Sequence, residues 1–183
     1  QVPLVIETVG NIQRLPGESL EMWARKARYD AFQRHVQSQD ILFLAHHADD
    51  QAETFLYRLM RGAGLEGLGA MAEETTRLGI TIRRPLLQTT RAEIAAYAGL
   101  HQLSFIDDPS NLDVSYDRNY LRHQVIPALY ARWPSATQKI GQAISHLQES
   151  ASLLAEYVQA DLEQAVIRSP LRLNLSCMAL WTR

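Results

Sequence analysis

The residues of this sequence best suited to chemistry form a run of two histidines and two aspartates, His46 to Asp50. The run directly follows a wholly apolar stretch, Ile41 to Ala45. Such a stretch is typical of a central strand in a parallel sheet, and ligands of open α/β sheets bind beyond the carboxyl ends of the strands. The sequence therefore predicts that this polar run lies at the mouth of a sheet.

The last aspartate of this run, Asp50, pairs with a second carboxylate, Glu53, in the segment that follows. Asp50, Glu53 and Tyr57 are spaced i, i+3 and i+7, away from the apolar stripe of a predicted helix, so both carboxylates face one point. Such a pair can hold a free ammonium group or a metal ion. The alternative is a purely structural role, in which Asp49 is the N-cap and the other two carboxylates complement the helix dipole. The adjacent histidines His46 and His47 favour a binding site.

Arginines supply the candidate anion contacts. Arg25 shares a helix face with Glu21 and Arg28, where a solvated ion pair is the structural alternative. Arg118 and Arg122 are spaced i, i+4 at the start of a later helix and could reach a phosphate or an RNA backbone.

Two other patterns favour structure over ligand binding. Gly62, Gly64 and Gly67 satisfy G-x-G-x-x-G, but they follow a helix instead of opening one, which indicates a C-terminal cap and close loop packing. The acidic stretch from Asp107 to Asp117 lacks the glycine and terminal glutamate of a calcium loop. Asx turns are the better interpretation of that stretch.

An alternation of strands and helices must position these residues. Apolar periodicity and turn residues predict strands at 2–9, 41–45 and 80–87, and helices at 18–38, 50–61, 90–102, 119–132 and 135–166. Thr90 with Glu93 predicts a capping box at one helix start. The turn at Trp133-Pro134 suggests a boundary between residues 1–133 and residues 134–183.

Composition limits the classes of protein that fit. The 183 residues are 46% hydrophobic and 21% charged, with a net charge of −2 and one cysteine, Cys177. No stretch approaches the roughly 18 apolar residues that span a bilayer, and no secretory signal is apparent. A single cysteine requires no oxidising compartment. We therefore expect a soluble, cytoplasmic α/β protein whose nucleic-acid contacts, if it makes any, are local.

Five ordered motifs together resemble the tRNA(Ile)-lysidine synthetase family, an N-type ATP pyrophosphatase family of the PP-loop superfamily. They are A-R-x-x-R-Y at Ala24 to Tyr29, H-H-x-D-D-Q-x-E-T at His46 to Thr54, R-G-x-G-x-x-G-L-x-x-M at Arg61 to Met71, R-P-L-L at Arg84 to Leu87, and D-x-S-N-x-D-x-x-Y-x-R-N-x-x-R at Asp108 to Arg122. The resemblance covers residues 1–135 well and the remainder weakly.

The resemblance implies a fold of two parts. Residues 1–133 would be a partial α/β, parallel-sheet PP-loop ATP pyrophosphatase domain of Rossmann-like type, and residues 134–183 would begin a helical tRNA-recognition domain. The family binds ATP phosphates with an S-G-G-x-D-S loop, which does not occur in this sequence. The sequence is thus expected to start after that loop, to lack the residues that bind the phosphates, and to be inactive alone.

The implied reaction is a ligation. ATP, accompanied by Mg²⁺, adenylates the wobble cytidine of tRNA(Ile) with a CAU anticodon, and the ε-amine of L-lysine then displaces AMP to form lysidine. The implied catalytic residues are Asp50, Glu53 and Arg25, and the implied substrate-binding residues are His46, His47, Asp49, Arg118 and Arg122. Asp50 and Glu53 would hold or deprotonate lysine. A homodimer is an assembly that the family resemblance permits.

Two alternatives stay open at the level of sequence. One is a metal-dependent hydrolase with His46, His47, Asp49 and Asp50 as metal ligands. The other is a non-catalytic tRNA-binding remnant that has lost the phosphate loop.

Overall fold

A computed structural model describes residues 4–8, 20–37, 39–106 and 108–165 of the chain. The helices are α1 (Leu20–His35), α2 (Ala48–Met60), α3 (Leu65–Leu68), α4 (Arg91–Leu100), α5 (Asp117–Tyr120), α6 (Ile126–Arg132) and α7 (Ala136–Ala165), with a 3-10 turn at Pro109–Leu112 and a π-helical turn at Leu121–Val125. The strands are β1 (Ile41–Phe43), β2 (Glu74–Arg77) and β3 (Ile80–Arg83). Contacts divide the chain into two units, Gln1–Ala45 with Glu73–Pro85, and His46–Ala72 with Leu86–Arg183.

The first unit contains a three-stranded mixed sheet in the order β1-β3-β2. Strands β1 and β3 are parallel, with Ile41 opposite Thr81, as the sequence predicts for an α/β sheet. Among the described strands, however, β1 lies at the edge of the sheet instead of its centre, and Ile41 and Phe43 are exposed. Strand β2 runs antiparallel to β3 and was not predicted, because its sequence Glu-Thr-Thr-Arg has no apolar residue to mark it. Leu78 and Gly79 both have positive φ, of 52° and 79°, which is the geometry of a tight two-residue hairpin.

Helix α1 covers this sheet through an apolar cluster. Tyr29 on α1 packs with Ile80 and Ile82 of β3, and all three are buried. Phe32 and Leu42 add partly buried surface to the cluster. The arginines Arg25 and Arg77 lie over the Tyr29 ring, so the ring has a cation on α1 and a cation on β2 near it.

The first predicted strand does not form where the structure describes it. Residues 4–8 of the predicted strand at 2–9 have no strand conformation, and Leu4, Val5 and Ile6 are exposed; the rest of that prediction lies outside the described residues. Strand β3 ends at Arg83, because Pro85 lacks the N–H that a ladder needs. The predicted helices are present, shifted by no more than three residues at any end that the structure describes.

The second unit is helical, and α7 is its longest element. Helix α7 spans 30 residues and contacts α2 and α3. Its Gln148 side chain donates to the backbone carbonyls of Gly69 and Met71, at 2.6 and 3.2 Å. Ile144 of α7 is 2% exposed, and Ala52 of α2 is also buried. In the described part of the chain, no helix is long and apolar enough to cross a membrane.

The glycine-rich loop forms the turn after α2, as predicted. Gly62 has a φ of +69°, which glycine adopts without the strain that a Cβ would cause. A Cβ at Gly67 would lie 2.8 Å from the Cβ of Ala63, so that position needs glycine for close packing. The glycines of this loop therefore let the chain turn and pack closely at the end of α2.

A π-helical turn joins α5 to α6. It covers Leu121–Val125, and Pro127 follows in the first turn of α6. Proline has no N–H to donate and its ring crowds the carbonyl four residues earlier, here that of His123. The wider π turn relieves this crowding, and such turns are frequent at functional sites. Arg122 lies in the turn.

Turn-forming aspartates precede α5, as the sequence indicates. The Ser110 N–H donates to Asp108 Oδ1 at 2.9 Å, and the Ser115 N–H donates to Asp113 Oδ1 at 3.0 Å. Both are Asx turns. Asp107 lies outside the described residues.

Candidate active site

The start of α2 is capped by His47 together with Asp50. The Asp50 N–H donates to His47 Nδ1 at 3.3 Å, and the His47 N–H donates to Asp50 Oδ2 at 3.0 Å. This is a reciprocal capping box in which histidine takes the place of serine or threonine. The alternative with Asp49 as N-cap is wrong, because the helix begins at Ala48 and only the residue before it can cap the first turn.

Asp49 joins three helices through both of its carboxylate oxygens. The Arg91 N–H at the start of α4 donates to Asp49 Oδ2 at 2.7 Å, and the Tyr130 hydroxyl of α6 donates to Asp49 Oδ1 at 3.2 Å. The Tyr130 hydroxyl also shares a hydrogen bond with Thr137 of α7. Asp49 therefore fixes neighbouring helices to the start of α2.

Asp50 and Glu53 converge on the guanidinium of Arg122. Arg122 Nε donates to Glu53 Oε1 at 2.6 Å, and Arg122 Nη2 donates to Glu53 Oε2 at 3.0 Å and to Asp50 Oδ1 at 3.1 Å. The fork of the guanidinium matches the carboxylate of Glu53 with two bonds. We call Asp49, Asp50 and Glu53 the acidic cluster; the sequence brought its members together but did not indicate that Arg122 is their partner.

Burial shifts the titration of this ion pair. Glu53 is 3% exposed, and burial raises its pKa above the ordinary value, while the hydrogen bond and charge of Arg122 oppose the rise and the charge of Asp50 adds to it. Burial alone would lower the pKa of Arg122, but the hydrogen bond and charge of Glu53, together with the charges of Asp50 and Asp49, raise it. Arg122 therefore stays charged while Glu53 holds a proton more readily than an exposed glutamate does.

The two histidines lie beside this cluster. His47 Nε2 is 3.5 Å from Asp50 Oδ2, and His47 Nδ1 is 3.8 Å from Asp49 Oδ2. His46 precedes the cap and is partly buried. Tyr57, which the spacing groups with the carboxylates, instead accepts a hydrogen bond from Arg61 at 2.9 Å, at the far end of α2.

Arg118 lies near a different group from Arg122. The pKa of Arg58 on α2 is lowered, first by burial and second by the charge of Arg118, so these two cations are close. Arg58 Nη1 donates to the carbonyls of Gly67 and Ala70, both at 2.8 Å. Sequence reasoning missed Arg58, because nothing in its neighbourhood distinguishes it from a solvated arginine of a helix.

Arg25 belongs to the first unit, whereas the other candidate residues belong to the second. It is exposed on α1, and its guanidinium lies 5.3 Å from the centroid of the Tyr29 ring. This contact fixes the direction in which the side chain leaves the helix.

A cavity of about 660 Å³ in the second unit borders the start of α2. Its lining residues include Ala48, Gln51, Tyr130, Thr137 and the buried Ile144. Most of the residues that line the cavity carry an amide or a hydroxyl group, and aliphatic side chains complete the lining. Among the residues that the structure describes, no group of three histidine, cysteine, aspartate or glutamate side chains is arranged to hold a metal ion.

Comparison with known proteins gives one consistent result. Residues 1–129 match the family model of the PP-loop domain. The chain is 49% identical over 169 residues to the tRNA(Ile)-lysidine synthase of Pseudomonas fluorescens, 48% identical over 178 residues to that of Nitrosomonas europaea, and 44% identical over 163 residues to that of Haemophilus ducreyi.

The matches cover most of this chain and a smaller part of each relative. They include 92%, 94% and 89% of the chain, and 37%, 38% and 37% of the relatives. The chain thus spans a little over a third of the length of these curated relatives. None of the three is described as a hydrolase or as a non-catalytic protein, so the two alternatives left open by the sequence are not favoured.

Proposed function

The chain belongs to the PP-loop domain family, and from this membership we propose that the complete protein is a ligase that forms lysidine at the wobble cytidine of tRNA(Ile). The proposed substrates are ATP, L-lysine and the tRNA with a CAU anticodon. Similarity to tRNA(Ile)-lysidine synthases at 44–49% identity supports the reaction class. The geometry of the acidic cluster supports the place where lysine would bind.

The observation that carries the proposal is the junction of Asp50, Glu53 and Arg122. Two carboxylates meet one guanidinium there, so the group keeps an excess of negative charge when both acids are ionised. Each carboxylate has about four acceptor positions, and Arg122 occupies only some of them. The remaining acceptors can hold the ammonium group of lysine, which must be bound through charge-assisted hydrogen bonds if it is to leave water.

Proton transfer follows from the same arrangement. The ε-ammonium of lysine must lose a proton before its nitrogen can attack, and its unperturbed pKa is about 10.4. The positive charge of Arg122 nearby favours the neutral amine, and Glu53, whose pKa is raised by burial, is a better proton acceptor than an exposed glutamate. The amine then forms the bond to the activated carbon of the cytidine, and AMP leaves with the electron pair.

The other candidate residues have supporting roles in this proposal. His46 and His47 shape the nucleotide side of the pocket, and Asp49 holds it in place. Arg25 and Arg118 stabilise phosphate charge on ATP or on the adenylated intermediate. Mg²⁺ accompanies the ATP, and we assign none of the described residues to it. A cytoplasmic location follows from the tRNA substrate, and a homodimer is the assembly we propose to test for.

The experiment separates the two half-reactions in the complete protein. Adenylation is followed as pyrophosphate release from ATP with tRNA, and ligation as incorporation of labelled lysine. We expect Glu53→Gln and Asp50→Asn to lower lysine incorporation by at least about 100-fold, because each removes a charge that holds or deprotonates the amine. We expect tRNA affinity to change little, since neither carboxylate faces a phosphate in this proposal.

The matched control is Glu66→Gln, which removes an exposed carboxylate from α3 and should leave both half-reactions unchanged. Full lysine incorporation in both cluster variants would contradict the role given to the carboxylates. Absence of any lysine incorporation by the unaltered complete protein would contradict the proposed function itself.

A further inference from the structure

We propose that Tyr130 and Thr137 are positioning residues for the acidic cluster, which they hold in place through Asp49. The inference rests on the proposed lysidine-forming function. Both residues lie beyond residues 1–129, the part matched by the PP-loop domain. The candidate site is therefore completed by residues that follow the matched domain in the chain.

The direction of the hydrogen bonds is fixed by the chemistry of the three groups. An ionised aspartate only accepts, and a tyrosine hydroxyl has one proton to donate. Because the Tyr130 hydroxyl lies 3.2 Å from Asp49 Oδ1, it donates its proton there. In the bond between Tyr130 and Thr137, the tyrosine oxygen must then accept. The bonds run from Thr137 to Tyr130 to Asp49.

Burial favours these hydrogen bonds over hydrogen bonds to water. Thr137 is 5% exposed, in the first turn of α7, so water competes poorly for its hydroxyl. Burial raises the pKa of Tyr130, as does the charge of Asp49, although the hydrogen bond with Thr137 opposes the rise. The tyrosine hydroxyl therefore keeps the proton that it donates.

Because Asp49 is held by these hydrogen bonds, the neighbouring Asp50 is held in position as well. Its second oxygen accepts the Arg91 N–H at 2.7 Å, so both oxygens are held and the carboxylate has no free rotation. Asp49 and Asp50 are consecutive in the first turn of α2, and Asp50 binds Arg122. A shift of the Asp49 backbone therefore displaces Asp50 as well.

Small displacements of this kind are costly for catalysis. A misplacement of about 1 Å in a reacting group can lower a rate by about 100-fold. Loss of one of two anchors leaves the other in place, and we expect a smaller effect, of about tenfold. The loss should fall on kcat for lysine incorporation more than on KM for lysine, because the carboxylates remain present but are less well aligned.

The test uses hydroxyl deletions in the complete protein. We expect Tyr130→Phe and Thr137→Val each to lower kcat for lysine incorporation about tenfold, with KM for lysine and tRNA affinity unchanged. Thr137→Ser keeps the hydroxyl and should restore the wild-type rate. The double variant should be no slower than Tyr130→Phe, since both changes break one series of bonds. Tyr97→Phe, at an exposed tyrosine of α4, is the matched control.

A second measurement does not depend on the reaction. Hydrogen exchange of the Arg91 amide should accelerate about fivefold in Tyr130→Phe, because Asp49 loses an anchor and the bond to that amide weakens. Wild-type kcat in both deletions, or failure of Thr137→Ser to restore the rate, would overturn the positioning role. If the unaltered protein forms no lysidine, the proposed function fails, and an unchanged Arg91 exchange rate would then overturn this inference separately.

Discussion

Helix α2 presents two polar sides that use their side chains differently. On one side Asp50 and Glu53 meet the charged side chain of Arg122. On the other, Gln51 bonds both the N–H and the carbonyl of Met71, at 2.9 and 2.7 Å, and Arg58 bonds the carbonyls of Gly67 and Ala70. Gln51 and Glu53 are both buried, yet only one of them has a charged partner.

The difference distinguishes polar side chains that stabilise the fold from polar side chains that can also take part in a reaction. A side chain that bonds two backbone groups is satisfied in one protonation state and fixes a loop. A carboxylate that bonds a guanidinium can exchange protons and accept a second cation. Side chains on the Gln51 side should therefore matter for folding alone, whereas those on the Glu53 side should matter for folding, pH dependence and catalysis.

The largest effect that tests this comparison is expected for Arg122→Met. The variant leaves buried Glu53 without its partner, and we expect a loss of about 2–4 kcal/mol in the free energy of unfolding, below the upper range for buried pairs because the Arg122 side chain is 24% exposed. Chemical denaturation at pH 7 measures it. Arg122→Lys keeps the charge but not the fork and should recover only part of the loss. Wild-type stability of Arg122→Met would show that the pair contributes nothing to folding.

A smaller loss is expected on the other side of the helix. Gln51→Ala removes both bonds to Met71, and we expect about 1–3 kcal/mol of destabilisation, with KM for lysine unchanged. Denaturation and steady-state kinetics of the complete protein give the two numbers. Gln138→Ala, at an exposed position of α7, is the control and should be close to neutral. A raised KM for lysine in Gln51→Ala would contradict the prediction that side chains on the Gln51 side matter for folding alone.

The smallest effect is a pH dependence confined to Glu53. Because its folded-state pKa is raised, the stabilisation from its protonated form is present below the ordinary carboxyl pKa and is lost as pH rises through the raised value. Each pH unit between the two values contributes about 1.4 kcal/mol. Glu53→Gln does not titrate, so its stability relative to wild type should improve from pH 4 to pH 7. A difference that stays constant or worsens with pH would contradict the raised pKa.

Local sequence patterns predicted what depends on near neighbours along the chain. The capping box of Thr90 with Glu93 is present, with the Glu93 N–H donating to Thr90 Oγ1 at 3.2 Å. The strand at Ile41–Phe43 and the turn at Gly62 are present as well. Each of these follows from residue types that constrain their own backbone.

Contacts between distant residues were not predictable in the same way. Arg122 lies 69 residues from Glu53 in sequence, and nothing in either segment indicates the pairing. The i, i+4 spacing of Arg118 and Arg122 predicted that they could reach a phosphate or an RNA backbone, but it did not indicate that Arg118 lies near Arg58 or that Arg122 binds the carboxylates. Helical periodicity could not foresee this, because a π turn begins between the two arginines.

For protein design, the π turn at Leu121–Val125 is a position where an idealised template would break the ion pair of Arg122 with Glu53 without replacing either side chain. Redesign of residues 117–132 as a regular α-helix would replace i→i+5 bonds by i→i+4 bonds. The angular position of Arg122 on the helix would rotate relative to α6, and its guanidinium would no longer point at Glu53. A stabilising design of this segment should therefore preserve the irregular turn and the proline that follows it.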